Sequence, residues 1–111
     1  MDLSITSEAR GQTHVVTIGG DLDVYTAPQL EKALEEHCRN GCTLVLDLSR
    51  VHFIDSTALC VLVSALQRSR AADGDLSLAM DDPYLMKIFR ITGFDTLFAI
   101  FPAVDQALEA D

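Results

Sequence analysis

The chain has 111 residues, 17 acidic and 8 basic side chains, and a formal net charge of −9. This length fits a single domain, and 49% hydrophobic residues provide enough apolar surface for a packed core. Because the Lys and Arg residues are scattered rather than clustered, direct binding to nucleic acid is not expected.

The sequence contains no predicted membrane span, secretion signal or metal site. Its longest apolar stretch, residues 58–63, is far shorter than the ~18 residues that a membrane span needs. The N-terminus lacks a basic region and an apolar core, and three cysteines fit a reducing compartment, so we predict a cytoplasmic protein. Cys38 and Cys42 lie near His37, but zinc usually takes four ligands and no second pair follows, so neither metal nor cofactor is predicted.

The first half of the chain predicts a hairpin followed by a helix. Residues 3–7 and 13–18 alternate apolar and polar side chains around a Gly-containing turn, which favours two paired strands. Thr26 is a plausible N-cap of the first helix, with Gln29 in the position of a capping-box partner. We expect this helix to stop at Asn40-Gly41.

The middle of the chain predicts a buried strand and a buried helix. Residues 43–47 are apolar without alternation, as in a strand that is covered on both faces. Residues 51–54 then lead to a polar cluster, and residues 58–66 are apolar nearly all round, which favours a buried helix.

The last third continues the alternation of strands and helices. Asp82 is predicted to cap a third helix, and Gly93 is predicted to end it in the left-handed conformation. Three other elements are expected: a strand over 75–80, a strand over 97–101 and a helix over 102–110. The order ββαβαβαβα predicts an α/β fold with a mixed, mostly parallel sheet, an N-terminal hairpin and about four helices.

Two polar clusters are expected to lie at one edge of the sheet, because loops at the carboxyl ends of parallel strands gather there. They are Gly20-Asp21-Leu22-Asp23 and Asp55-Ser56-Thr57. The simplest interpretation of the second cluster is helix capping. If Asp55 is the cap, Ser56 falls in the first helical turn with its hydroxyl free and facing solvent.

A catalytic serine at position 56 is an alternative. However, the Gly-x-Ser-x-Gly pattern of a nucleophile elbow is absent, and a triad would need His14, His37 or His52 close to the hydroxyl. We therefore do not predict an enzyme.

A phospho-aspartate switch is a second alternative, since the acidic pair Asp21 and Asp23, together with Asp55, is similar to that of bacterial receiver domains. Such a site needs Mg²⁺ and a Lys near the end of the last strand. Residues 97–101 contain no Lys, and the acidic pair follows the second strand rather than the first.

Four segments resemble the signatures of the STAS-domain anti-sigma factor antagonists: residues 20–28, 45–48, 53–57 and 87–94. They occur in order, and the resemblance covers nearly the whole chain, which implies one STAS domain over residues 1–111. It also implies a bacterial partner-switching protein that regulates transcription. In such proteins, phosphorylation of the serine after the motif aspartate controls binding to the partner.

Carried onto this sequence, the resemblance makes Ser56 the phosphoacceptor of an anti-sigma factor that is also a serine kinase. The unphosphorylated form would bind the anti-sigma factor and release the sigma factor, the phosphorylated form would not bind, and a phosphatase would reset it. The free protein is expected to be a monomer. The implied partner-binding residues are Asp21, Asp23, Asp55, Ser56, Thr57 and Ala58. A STAS scaffold or transporter-accessory module without phosphorylation is the alternative.

The chain departs from the family pattern directly after the motif, where Ala58-Leu59-Cys60 replaces the usual Gly-Leu-Gly. We expect Ala58 in the first helical turn, with its methyl group beside the phosphoacceptor and facing the partner.

Overall fold

The computed structural model describes residues 3–38 and 41–110, which form a five-stranded sheet and four α-helices. The strands are β1 (Ser4–Arg10), β2 (Thr13–Leu22), β3 (Thr43–Ile54), β4 (Asp75–Ala79) and β5 (Ala99–Phe101). The helices are α1 (Ala27–Cys38), α2 (Ser56–Ala71), α3 (Pro83–Thr92) and α4 (Val104–Glu109), and a 3₁₀ turn spans Phe94–Thr96.

The strands lie in the order β1-β2-β3-β4-β5. β1 and β2 pair antiparallel, and the other neighbours pair parallel. The predicted α/β fold with a mixed sheet and an N-terminal hairpin is therefore confirmed.

β3 is one 12-residue strand, whereas the sequence suggested two separate segments over 43–47 and 51–54. The pairing of β2 with β3 contains two register shifts, between Thr17 and Gly19 and between Gly20 and Asp21. Such bulges add a residue to one strand and interrupt its alternation. Leu48, Val51 and Ile54 consequently face the core at three-residue spacing, which hides the strand from a search for period two.

The two faces of the sheet are covered unequally. Leu44 and Leu46 of β3 belong to a large core that also includes residues of α1, α2 and α3. Val45 points to the opposite face, where it packs with Ala107 of the six-residue helix α4. In the described ranges, no helix is long and apolar enough to cross a membrane.

The start of α1 differs from the prediction. The hydroxyl of Thr26 accepts a hydrogen bond from the backbone N–H of Asp23 (3.0 Å) and donates to the carbonyl of Asp21 (2.8 Å), so it stabilises the preceding turn rather than capping the helix. Gln29 does not complete a capping box. Its side chain accepts from Leu3 N–H (2.9 Å) and donates to Leu3 C=O (3.1 Å), which fastens the start of β1 to α1.

Other predicted helix boundaries are reproduced. Asp55 caps α2, Asp82 caps α3, and Gly93 ends α3 with φ of 80°. Asn40, part of the predicted stop of α1, lies outside the described residues. Residues 97 and 98, expected in the last strand, precede it because their backbone N–H groups donate to the carbonyl of Phe94 (3.0 and 3.2 Å) and so continue the turn.

Candidate functional site

The two polar clusters lie side by side at the carboxyl edge of the sheet. β2 and β3 are parallel neighbours whose last paired residues are Leu22 and Ile54. The backbone N–H of Asp55 donates to the carbonyl of Leu22 (3.0 Å), so the loop after β3 is joined directly to the end of β2. This placement follows the sequence-based expectation for the edge of a parallel sheet.

The carboxylate of Asp55 joins two elements. Oδ1 accepts a hydrogen bond from Ala58 N–H (3.0 Å) and caps α2, while Oδ2 accepts one from Val24 N–H (3.0 Å) in the loop between β2 and α1. The side chain is half-buried. The sequence predicted that residues 55–57 cap the helix without deciding which of them does so, and it did not predict the second bond, because Val24 is 31 residues away along the chain.

The turn between β2 and α1 has all its backbone donors satisfied. Asp23 Oδ1 accepts from Tyr25 N–H (2.9 Å) and Thr26 N–H (3.0 Å), and the Asp23 carbonyl accepts from Ala27 N–H (2.8 Å). The N–H group of Asp23 donates to Thr26 Oγ1, and that of Val24 donates to Asp55 Oδ2. Asp23 therefore holds the turn in place, and this network fixes the backbone of residues 23–27.

Ser56 and Thr57 are the first two residues of α2, and both are exposed. Because Asp55 occupies the N-cap, the Ser56 hydroxyl does not cap the helix, which is one of the two cases that the sequence left open. The first N–H groups of a helix lack intrahelical acceptors and carry a partial positive charge. The Ser56 hydroxyl thus lies at the positive end of a 16-residue helix, next to the Asp55 carboxylate.

Ala58 lies in the first turn of α2 as expected, but the expectation that its methyl group faces a partner is wrong. Its exposed fraction is 0%, and it belongs to the large core, so its methyl group faces inward instead of toward a partner. The exposed residue that shares a face with Ser56 is Cys60, one helical turn further on. A signal was available in the sequence, since Ala58, Leu62 and Ala65 are spaced as residues on one helix face.

Three apolar side chains at this edge were not singled out from the sequence. Val24 is 54% exposed, Tyr25 is 86% exposed and Phe53 is 41% exposed. Phe53 pairs with Asp21, which is exposed near the end of β2. We define the rim surface as Asp21, Val24, Tyr25, Phe53, Ser56 and Thr57. The sequence signal that could have revealed this surface is the valine-tyrosine pair. It lies in a turn that contains aspartates, where apolar side chains are not expected to be buried.

The three histidines that could serve a catalytic serine have other neighbours. His14 and His37 form an edge-to-face ring contact with centroids 5.6 Å apart, and His37 Nδ1 lies 3.0 Å from the carbonyl of Ala33. His52 Nδ1 lies 3.8 Å from Asp82 Oδ2. The geometry gives no support to a triad built on Ser56.

Cys38 and Cys42, the two cysteines considered as metal ligands, donate hydrogen bonds to different backbone carbonyls. Cys38 Sγ donates to the carbonyl of Ala65 (3.5 Å), and Cys42 Sγ donates to that of His37 (3.4 Å). Among residues 3–38 and 41–110, no three His, Cys, Asp or Glu side chains are grouped so that they would hold a metal ion.

Comparison with known proteins identifies the family to which this fold and edge belong. The model of the STAS domain matches residues 4–107, so the chain belongs to the STAS domain family. The anti-sigma-B factor antagonist of Listeria monocytogenes is 34% identical over 102 residues, which cover 90% of each chain. The resemblance to the STAS-domain anti-sigma factor antagonists is thereby confirmed.

Solved structures agree with this assignment. An anti-sigma factor antagonist from Mycobacterium paratuberculosis superposes with a TM-score of 0.89 at 29% identity, covering 97% of this chain and 92% of that one. The unphosphorylated form of the anti-sigma factor antagonist SpoIIAA shares the fold, with a TM-score of 0.79 at 19% identity over 96% of this chain and 95% of its own.

Proposed function

We propose that this protein is an anti-sigma factor antagonist that binds its anti-sigma factor through the rim surface and so releases a sigma factor. The observation that carries the proposal is the exposed Ser56 at the start of α2, beside a turn that is held by Asp55. The names of the relatives that share a third of the sequence support the same conclusion. The protein acts by binding, as a monomer in the cytoplasm, and is not itself an enzyme.

Phosphorylation of Ser56 by the anti-sigma factor, acting as a serine kinase, is the proposed off-switch. The hydroxyl is solvent-facing and is not needed as a helix cap, because Asp55 performs that role. A kinase can therefore reach it without unfolding α2. A phosphatase then removes the phosphate and restores binding.

The phosphate is tolerated by the free protein and disfavoured in the complex. It adds about −1.5 to −2 charge at neutral pH, and the positive end of α2 stabilises that charge in solution. In the complex the same charge lies beside the Asp55 carboxylate and between two packed surfaces. Burying an unpaired charge in an interface costs about 2–5 kcal/mol, so binding is lost while the fold is retained.

Phosphate mapping tests the proposal directly. The purified anti-sigma factor kinases of the source genome are each incubated with this protein and ATP, and the modified residue is located by mass spectrometry. We expect one kinase to label Ser56. Ser56→Ala should accept no label, whereas Thr57→Ala, its exposed neighbour, should be labelled as the wild type is.

Two results would overturn the assignment. Label on Thr57 alone would move the phosphoacceptor by one residue. Binding without any phosphorylation by any of the kinases would favour the STAS scaffold or transporter-accessory module instead.

A further inference from the structure

The turn between β2 and α1 displays two apolar side chains on a backbone that cannot easily rearrange. Tyr25 is 86% exposed, the highest value among the large hydrophobic residues described, and Val24 beside it is 54% exposed. Single exposed apolar residues are common and need no explanation. What distinguishes this pair is the rigidity of its support.

We infer that Val24 and Tyr25 provide most of the affinity of the rim surface by inserting into an apolar pocket of the anti-sigma factor. The edge of that pocket carries Lys or Arg. This inference rests on the proposed function. It extends that proposal by naming the residues that supply affinity independently of Ser56, and by stating the chemistry of the surface that receives them.

The first argument is preorganisation. The backbone N–H groups of residues 23–27 are all hydrogen-bonded, to Thr26 Oγ1, Asp55 Oδ2 and the oxygens of Asp23. The backbone therefore loses little freedom when a partner binds, which removes one of the main costs of association. A tyrosine adds a large contact area with only two side-chain torsions to fix.

The second argument is charge. Residues 20–29, which contain the turn, include Asp21 and Asp23 and no Lys or Arg, whereas the Glu31 carboxylate further along α1 lies 3.7 Å from the guanidinium of Arg68. Residues 51–67, which contain Ser56, include Asp55 and no Lys or Arg. An apolar pair flanked by Asp21, Asp23 and Asp55 matches an apolar pocket bordered by cations, since opposite potentials favour the correct partner.

Asp55 is a positioning residue in this arrangement. Asp55→Asn keeps one oxygen to cap α2, and asparagine is as good a cap as aspartate. Its other terminal group becomes an NH₂ donor facing the N–H of Val24, so the bond between Oδ2 and Val24 is lost while the cap is retained. This variant therefore loosens the turn without removing Tyr25.

The test measures affinity by titration calorimetry, with ADP present, for the kinase that phosphorylates the wild-type chain. Tyr25→Ser is expected to weaken binding about 30-fold or more, as truncation of an anchor residue does. Ile91→Ser is the matched control, because Ile91 is 74% exposed but lies near the C-terminal end of α3. It should bind within about threefold of the wild type.

Two further variants separate the roles. Tyr25→Phe should retain wild-type affinity if an apolar pocket receives the ring. A loss of affinity in this variant would overturn the stated chemistry of the pocket. Asp55→Asn should weaken binding less than Tyr25→Ser does, and hydrogen exchange at Val24 N–H should become faster. Unchanged exchange would overturn the positioning role.

The outcomes distinguish this inference from the proposed function. If Tyr25→Ser binds as the wild type does while Ser56→Asp does not bind, this inference is refuted and the proposed function stands. If no kinase of the genome binds or phosphorylates the wild-type chain, the proposed function fails and this inference fails with it.

Discussion

Two aspartates begin helices that follow neighbouring strands of the sheet, and they use their second oxygen differently. Asp55 caps α2 with one oxygen and holds Val24 of another loop with the other, both at 3.0 Å. Asp82 caps α3 through Tyr84 N–H (2.9 Å), and its other oxygen lies 3.8 Å from the exposed His52. Equivalent capping patterns in the sequence therefore have different structural consequences.

The difference supports the proposal that the functional surface lies at the start of α2 rather than α3. Both helices have an exposed residue in the first turn, Ser56 in α2 and Tyr84 in α3. Only the start of α2 is tied to a second loop that presents apolar side chains. The cap of α2 therefore also fixes the turn next to the proposed site.

The largest expected effect comes from adding negative charge at each helix start. Ser56→Asp should weaken binding to the anti-sigma factor by about 30-fold or more, because an unpaired charge in the interface costs at least 2 kcal/mol. Tyr84→Asp adds the same charge at the exposed start of α3 and should leave the affinity within about threefold. Titration calorimetry of both variants, with Ser56→Ala as the neutral reference, measures the contrast.

Equal losses for the two aspartate variants would break the comparison. They would mean that the protein responds to its total charge, which is already −9, and not to charge at the rim surface.

The next effect concerns stability. Asp55→Ala removes a helix cap and also leaves Val24 N–H without its acceptor, so we expect a loss of about 2–3 kcal/mol in the free energy of unfolding. Asp82→Ala removes a cap and a 3.8 Å contact with the exposed His52, which contributes little, so it should cost about 1 kcal/mol. Urea denaturation of the two variants provides the measurement. A loss for Asp82→Ala as large as that for Asp55→Ala would show that the link to Val24 contributes little to stability.

Local signals in the sequence were sufficient for the order of elements and for two helix boundaries. Asp82 and Gly93 bound α3 through interactions within a few residues, where they were predicted, and the cap of α2 lies in the predicted polar cluster, although the sequence did not decide that Asp55 is the cap. The continuity of β3 was not visible, because bulges that form only against β2 disrupt the alternation.

The candidate site was predictable only where its chemistry is local. The exposed position of Ser56 was predicted only on the condition that Asp55 is the cap. The link from Asp55 to Val24 and the role of Gln29 did not, because they join segments 31 and 26 residues apart. Those contacts depend on how the elements pack, which no short motif specifies.

The smallest effect tests the side of α2 that faces the core. Ala58 is fully buried, so Ala58→Gly removes a packed methyl group that contributes about 0.8 kcal/mol to the free energy of unfolding. The glycine also costs backbone entropy in a helix, so we expect a total loss of about 1–2 kcal/mol. Cys60 is exposed on the same helix, and the difference between Cys60→Ala and Cys60→Gly reports the backbone contribution alone, about 1 kcal/mol. Urea denaturation of the wild type and the three variants separates the two contributions.

Because the methyl group does not reach the surface, the relative rates at which a panel of kinases phosphorylates Ser56 should be the same for Ala58→Gly as for the wild type. A changed kinase preference, or a cost for Ala58→Gly no larger than that at Cys60, would contradict the burial of this residue.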